Sequence, residues 1–193
     1  MLEFLNISHK YDKKIILNDF SMKLEAGEVV SLLGPSGCGK TTLLKLASGI
    51  EKLQKGEIKL NDKIVSSFNF HLNSDKRQIG YVFQDCALFP HLTIMENIFF
   101  SIKKNDIEKS SQKIQNLMDE IDISNLANNY PHELSGGQQQ QVALVRAMAS
   151  DPKIIFLDEP YSNLDSRLKE KIRDQMLHIL REYKISALLV THD

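Results

Sequence analysis

A glycine-rich segment between a strand-like run and a helix-like run constrains this chain more than any other part of its sequence. Residues 34–41 read Gly-Pro-Ser-Gly-Cys-Gly-Lys-Thr, after an apolar run at residues 29–33 and before good helix formers at residues 42–47. Glycines let successive backbone N–H groups converge, and a helix N-terminus adds positive potential. This context favours a polyphosphate-binding loop over the alternative, a glycine-rich turn at a helix start.

Two side chains at the end of this segment have predicted roles in binding a nucleoside triphosphate. Lys40 is expected to reach the β- and γ-phosphates, and the hydroxyl of Thr41 is expected to occupy a coordination position of Mg²⁺. Both are needed because the charge of a triphosphate has to be offset by a cation and a metal.

Length and composition indicate one ordinary globular domain. The chain has 193 residues, of which 42% are hydrophobic and 25% are charged, and its net charge of −1 predicts no general attraction to nucleic acid. No apolar run approaches the roughly 20 residues of a membrane span, and the N-terminus lacks an export signal, so a cytosolic location is expected. Cys38 and Cys86 are therefore interpreted as free thiols.

Paired carboxylates follow a second strand-like run at residues 153–157. Adjacent acids at the end of a buried parallel strand lie where ligands of open α/β sheets bind. Asp158 is a candidate to hold Mg²⁺ through water, and Glu159 is a candidate to polarise an attacking water. The alternative is an acidic strand end that faces solvent. His192, after a further strand-like run, is a candidate donor to a γ-phosphate.

A second candidate anion site lies at residues 134–138, which read Leu-Ser-Gly-Gly-Gln and precede a strong helical pattern up to Met148. Ser135 is placed as the N-cap, and backbone N–H groups at a helix N-terminus suit an anion. One chain thus carries two half-sites by sequence. Taken alone, Ser-Gly-Gly would more often be a plain helix cap.

The remaining pattern is of short strands and amphipathic helices. Tyr11 is expected in a loop between two N-terminal strands of an antiparallel portion, where it is either an adenine-stacking residue or a packed surface tyrosine. Gln84 is expected to end a strand, and the apolar loop at residues 87–92 is either a docking surface or a buried connection. The predicted strands are residues 2–7, 15–24, 57–60, 79–84 and 186–190, and the predicted helical segments are residues 105–128 and 165–184.

The order of these motifs resembles the ATP-binding subunit of ABC transporters over nearly the whole chain. The phosphate loop, Gln84 as the Q-loop, the LSGGQ signature, the Walker B run to Asp158 and Glu159, a D-loop at residues 162–165 and His192 as the switch histidine all match. The resemblance implies an α/β P-loop NTPase fold with a mostly parallel core sheet and an N-terminal antiparallel portion. A helical subdomain at about residues 85–150 is expected to carry LSGGQ within one domain of residues 1–193.

The resemblance also assigns roles to residues. Catalytic roles fall to Glu159, His192 and Gln84, and metal binding to Thr41, Gln84 and Asp158. Tyr11 is implied to stack on adenine, and Asp165 to communicate across a subunit interface. The implied nucleotide-binding residues are Tyr11, Gly34, Pro35, Ser36, Gly37, Cys38, Gly39, Lys40, Thr41, Thr42, Ser135, Gly136, Gly137, Gln138 and Asp165.

The implied partners are a second ATP-binding subunit and membrane permease subunits. ATP is expected between the Lys40 loop of one subunit and residues 135–138 of the other in a head-to-tail dimer, at the cytoplasmic face of the membrane. A solute-binding protein would take part indirectly, and nucleic acid is not expected. Residues 83–94 look most like the importer group for ferric iron, polyamines, thiamine and sulfate, with iron as the first expectation.

Three departures from the family pattern are present, and the first two bear on turnover more than on ATP binding. Gln141 stands where an arginine is usual, Asn163 stands where an alanine is commoner, and the chain ends at Asp193, where relatives continue through a further strand and helices. The last departure predicts a shortened subunit or a fragment. Two alternatives stay open: a soluble ABC-type ATPase of DNA repair or translation, and an inactive nucleotide-binding partner. The latter would usually have lost Glu159 or His192.

Overall fold

A computed structural model describes residues 1–102, 106–162, 164 and 166–192 of the chain. In the second half, helices connect parallel strands, as in α/β proteins. The strands are β1 (Leu2–Tyr11), β2 (Lys14–Leu24), β3 (Val29–Leu33), β4 (Lys55–Leu60), β5 (Lys63–Ser67), β6 (Phe70–His71), β7 (Ile79–Val82), β8 (Ile154–Asp158) and β9 (Ser186–Thr191). The helices are α1 (Lys40–Ser48), α2 (Ile94–Phe99), α3 (Ile107–Glu120), α4 (Gly136–Met148) and α5 (Ser166–Glu182).

Four strands form a parallel sheet in the order β3-β9-β8-β7. Because the strands are parallel, their carboxyl ends share one edge. The loops that leave this edge carry the phosphate loop after β3, Gln84 after β7, Glu159 after β8 and His192 after β9. The topology thus gathers segments that are up to about 160 residues apart in sequence.

The two faces of this sheet pack into different hydrophobic clusters. Ile155 and Leu157 belong to a cluster with residues of α2 to α5, whereas Ile154 and Phe156 belong to a cluster with α1 and the antiparallel sheet. Successive side chains of a strand point to opposite faces, so α1 and α4 cover opposite faces of the parallel sheet.

The antiparallel sheet has the strand order β2-β1-β4-β5-β6. Asn61 and Asp62 join β4 to β5 with φ values of 50° and 62°, as a two-residue hairpin turn requires. Arg77 is fully buried beside this sheet and donates to the carbonyls of Leu46 and Ala47 at the end of α1. This guanidinium therefore joins the phosphate-loop helix to the sheet.

Several predicted bounds differ from the structure. Tyr11 is the last residue of β1 and pairs with Lys14, so the expectation of a loop position was wrong. Strand β7 ends at Val82, before Gln84, because the chain turns there to enter the apolar loop. Asn163, Asp165 and Asp193 lie outside the described residues. None of the helices in the described part of the chain is long and apolar enough to cross a bilayer.

Candidate functional site

The predicted phosphate loop forms a curled segment that opens α1. Gly37 and Gly39 have φ values of 79° and 100°, and Gly39 is the N-cap of the helix. A side chain at Gly39 would meet the Ile16 side chain of β2 at 2.9 Å and its carbonyl oxygen at 3.1 Å. The loop therefore lies against the antiparallel sheet and presents its N–H groups at a helix N-terminus.

Lys40 crosses this loop. Its Nζ donates to the carbonyl oxygen of Gly34 at 2.6 Å and to that of Pro35 at 3.0 Å, and it lies 3.8 Å from Sγ of the exposed Cys38. The ammonium group is thus held over the concave side of the loop by carbonyl oxygens. Phosphate oxygens are stronger acceptors for an ammonium group, so they can take over these contacts.

Thr41 and Asp158 meet across the sheet. The Thr41 hydroxyl donates to Oδ1 of Asp158 at 2.7 Å, and the Tyr81 hydroxyl donates to Oδ2 at 3.1 Å. Asp158 continues the face of Ile154 and Phe156, which α1 covers, so β8 aims the carboxylate at the helix that carries Thr41. Burial, and then the charge of Asp158, raise the pKa of Tyr81 well above its usual range.

Glu159 has a left-handed backbone with φ of 45°. Its N–H donates to the carbonyl oxygen of Val190 at 2.9 Å, which fixes the residue beside the end of β9. Its Oε2 lies 3.2 Å from Nδ1 of His192. Two of the three predicted catalytic residues, Glu159 and His192, are therefore direct neighbours.

Gln84 contacts the segment after Glu159. Its Nε2 donates to the Ser162 hydroxyl at 3.4 Å, and that hydroxyl donates to the carbonyl oxygen of Glu159 at 3.1 Å. Gln84 lines a cavity with Gly136, Gln139 and Pro160, next to the start of α4. Its contacts in the structure are thus to Ser162, and its predicted contact with a metal stays a prediction.

A cavity of about 280 Å³ joins the predicted residues of the first half-site. Tyr11, 41% exposed, lies at this cavity, and the phosphate loop and Glu159 line it too. Among the described residues, the lining is Tyr11, Lys14, Ile16, Ser36, Gly37, Gly39, Lys40, Thr41, Thr42 and Glu159.

The LSGGQ segment lies elsewhere. Ser135 caps α4: its hydroxyl accepts from the Gln138 N–H at 3.4 Å, and the Ser135 N–H donates to Oε1 of Gln138 at 2.9 Å. Ser135 and Gly136 are exposed, whereas Gly137 packs so closely on α5 that a side chain there would meet Ile172 and Leu168 at 2.8 Å. Since α1 and α4 cover opposite sheet faces, the two half-sites do not form one cavity in the described chain.

A mostly apolar groove of about 380 Å³ lies beside the loop that follows Gln84. Phe89 and Phe100 line it with ring centroids 4.3 Å apart, whereas Leu88 packs against the helical cluster instead. Arg146 of α4 donates to the carbonyl oxygens of Cys86 and Ala87, both at 2.6 Å. In the predicted apolar loop, Phe89 thus lines the groove, whereas Leu88 packs against the hydrophobic core.

Sequence reasoning placed Ser162 in the D-loop but assigned it no contact, and it did not identify Tyr81 or Arg146. The contacts are between Tyr81 and Asp158, between Ser162 and Gln84, and between Arg146 and the loop after Gln84. The partners are 59 to 78 positions apart in sequence, so no local pattern indicates these contacts. Gln141, the departure from the family arginine, donates to the carbonyl oxygen of Ile121 at 3.0 Å and to Gln175 at 3.1 Å. That amide joins α4 to the end of α3 and to α5.

The phosphate loop makes a prediction about two glycines with similar backbones. Gly39→Ala should lower the free energy of unfolding by about 2 kcal/mol more than Gly37→Ala, because both replacements strain a left-handed residue but only the first meets β2. Thermal or urea unfolding of the two variants measures the difference. Equal stabilities would show that the loop does not lie against β2 as described.

Comparisons with known proteins agree with this architecture. A family model described as "ABC transporter" matches residues 17–162. An Fe(3+) ions import ATP-binding protein of Haemophilus influenzae is 44% identical over all of this chain and 55% of its own length. A spermidine/putrescine import ATP-binding protein of Chromobacterium violaceum is 40% identical over all of this chain and 53% of its own length. The chain therefore spans about half the length of these curated relatives.

Among solved structures, the ATP-binding cassette MJ0796 is similar. Its dimeric post-hydrolysis structure, bound to ADP and Pi, superposes with a TM-score of 0.80 at 32% identity, and the match covers all of this chain and 88% of that one. The sequence motifs and all three comparisons agree. The chain therefore belongs to the ABC transporter family.

Proposed function

We propose that this chain binds ATP between its phosphate loop and Tyr11 and hydrolyses it to ADP and phosphate. One observation carries the proposal: the residues suited to a base, to phosphates and to an attacking water line a single cavity. Tyr11 stacks on adenine at one end, Lys40 takes the β- and γ-phosphates, and Glu159 faces the γ-phosphate end.

The donors around Thr41 fit Mg²⁺. Its hydroxyl and the buried Asp158 carboxylate are hard oxygen ligands 2.7 Å apart, and Gln84 offers a further amide oxygen. When bound, Mg²⁺ offsets the charge of the β- and γ-phosphates. The Tyr81 hydroxyl donates to the other oxygen of Asp158, which helps to hold the carboxylate toward Thr41.

Glu159 and His192 supply the water-activating end. The Glu159 carboxylate orients a water toward the γ-phosphorus and accepts its proton as the bond to the ADP oxygen breaks. Nδ1 of His192 lies 3.2 Å from Glu159, and a ring N–H of His192 donates to a γ-phosphate oxygen once the nucleotide is bound. Gln84 senses the same site through Ser162, which contacts the backbone of Glu159.

The second half-site comes from a partner copy in this proposal. Ser135 and Gly136 are exposed at the N-terminus of α4, and the phosphate-loop cavity contains none of residues 135–138 among those described. A head-to-tail dimer completes both sites, with Asp165 at the interface. The dimeric structure of MJ0796 supports the pairing of two copies.

The chain acts, in this proposal, as the motor subunit of an importer at the cytoplasmic face of the membrane. Residues 1–193 form one ATP-binding domain, with about residues 85–150 as its helical subdomain. Ferric iron is the first candidate for the imported solute, because the relative named for Fe(3+) import is 44% identical. The relative named for spermidine/putrescine import is 40% identical, so a polyamine is the second candidate. The groove lined by Phe89 and Phe100 receives a helix of a permease subunit.

The groove makes a separable prediction. Phe100→Glu should reduce solute uptake by the assembled transporter about fivefold to thirtyfold while basal ATP hydrolysis by the isolated chain persists, because Phe100 is 62% exposed and lies outside the nucleotide cavity. Phe68→Glu is the matched control, since Phe68 is 79% exposed in the turn between β5 and β6. Uptake is measured in cells or proteoliposomes. Unchanged uptake, or equal loss of uptake and hydrolysis, would contradict docking in this groove.

A further inference from the structure

The Tyr11 side chain is held from the end of α1 as well as by its own strand. Its hydroxyl donates to Oε2 of Glu51, and burial followed by this hydrogen bond raises the pKa of Tyr11. The other carboxylate oxygen, Oε1, lies 3.2 Å from Nε2 of His9. Glu51 thus joins two aromatic side chains of β1.

His9 makes this contact from a buried position. Its side chain is 2% exposed, and its ring lies edge-on to that of Tyr11 with centroids 5.0 Å apart. In the neutral ring with the proton on Nε2, that N–H donates to Glu51, and Nδ1 faces no hydrogen-bond partner in the described chain. His9 therefore supports Glu51 and packs against the ring that Glu51 holds.

Glu51 is fixed in the frame of the phosphate-loop helix. Gly49 ends α1 with a left-handed backbone, and the Glu51 N–H donates to the carbonyl oxygen of Lys45 at 3.1 Å. The same helix begins at Lys40. One rigid element thus carries the phosphate-binding lysine at its start and the acceptor for Tyr11 just beyond its end.

The strand itself has a separate attachment. Gln54 accepts from the Lys10 N–H at 2.9 Å and donates to the Lys10 carbonyl oxygen at 3.0 Å. Because Gln54 holds the backbone next to Tyr11, loss of Glu51 would release the tyrosine ring without releasing the strand. Glu51 and Gln54 therefore both contact the end of β1, but Glu51 holds the Tyr11 side chain and Gln54 holds the Lys10 backbone.

We propose that Glu51 is a positioning residue that fixes the Tyr11 ring at a set distance from the phosphate loop, so that a base can stack on it when the triphosphate is bound. The proposal rests on the proposed function, in which Tyr11 stacks on adenine. A preset ring loses less rotational freedom on binding, so the benefit appears in affinity for a nucleotide and not for phosphates alone.

Two ligands separate these contributions: MgATP, and inorganic tripolyphosphate with Mg²⁺, which has no base. Isothermal titration calorimetry should give about five- to 150-fold weaker ATP binding for Tyr11→Ala and about threefold to tenfold weaker binding for Glu51→Ala. Tripolyphosphate affinity should be unchanged in both. Glu51→Gln should bind ATP like the original chain, because its amide keeps an oxygen acceptor and neutral His9 can change tautomer. Gln54→Ala should also leave the ATP affinity unchanged.

A second variant tests the same hydrogen bond from the other side. Tyr11→Phe keeps the ring and should weaken ATP binding as much as Glu51→Ala, and the double variant should be no weaker than either single one. If Tyr11→Ala bound ATP normally, the stacking part of the proposed function would fail, and this inference with it. If Tyr11→Ala weakened ATP binding but Glu51→Ala did not, or if Glu51→Ala lost tripolyphosphate equally, the positioning role alone would be overturned.

Discussion

Replacement of Glu159 by glutamine is expected to slow ATP hydrolysis about a hundredfold to ten-thousandfold while ATP remains bound. The amide matches the carboxylate in size, so it can keep the contact with His192, but it cannot accept a proton from water. Single-turnover hydrolysis and equilibrium binding of ATP measure the two effects separately. Glu170→Gln, at an exposed position of α5, controls for the loss of one negative charge.

The slowed variant should also report on the partner copy. If Ser135 to Gln138 of a second chain close over the γ-phosphate, then Glu159→Gln should run as a dimer in size-exclusion chromatography with MgATP and as a monomer without it. Ser135→Arg in the same background should abolish that dimer. The bulky, positively charged arginine side chain would occupy the space at the start of α4 where the γ-phosphate bound by the partner copy docks. Melting curves of each variant come first. A folded variant that binds ATP yet stays monomeric at tens of micromolar would contradict the composite site.

Replacement of Lys40 by methionine is expected to weaken ATP binding on the order of a hundredfold. The ammonium group now donates to the carbonyl oxygens of Gly34 and Pro35, so the change removes both the cation for phosphate and a tie across the loop. Lys45→Met removes a lysine from the last turn of the same helix and should bind ATP almost normally. Calorimetry with ATP compares them.

Two results would count against this assignment of Lys40. One is ATP binding by Lys40→Met at the strength of Lys45→Met. The other is a fall in thermal stability so large that lost binding follows from unfolding, which circular dichroism would detect. A folded Lys40→Met chain with weak binding supports the role of the ammonium group.

The parts of the site that the sequence predicted are those set by local backbone chemistry. The glycines of residues 34–39, the cap at Ser135 and the carboxylates at the end of β8 each mark a strand end or a helix start. Each lies where the pattern placed it. Parallel pairing then explains why these loops share an edge.

The missed parts depend on side chains that meet through the tertiary fold. Tyr81 reaches Asp158 only because β7 pairs with β8 in a register that aligns Tyr81 with Phe156, and a one-residue slip would turn the hydroxyl to the other face. Glu51 reaches Tyr11 only because α1 packs against the antiparallel sheet. Neither register nor packing angle can be read from one sequence.

The left-handed backbone of Glu159 sets a limit on how far this chain can be stabilised. An L-residue in that conformation is less favourable than glycine by roughly 1 kcal/mol, and the side chain at this position is the proposed general base. Consensus-style engineering that puts glycine at strained positions would therefore gain thermal tolerance here only by removing catalysis. Left-handed residues remote from the cavity, such as Lys184 after α5, carry no such conflict and are the safer places to begin.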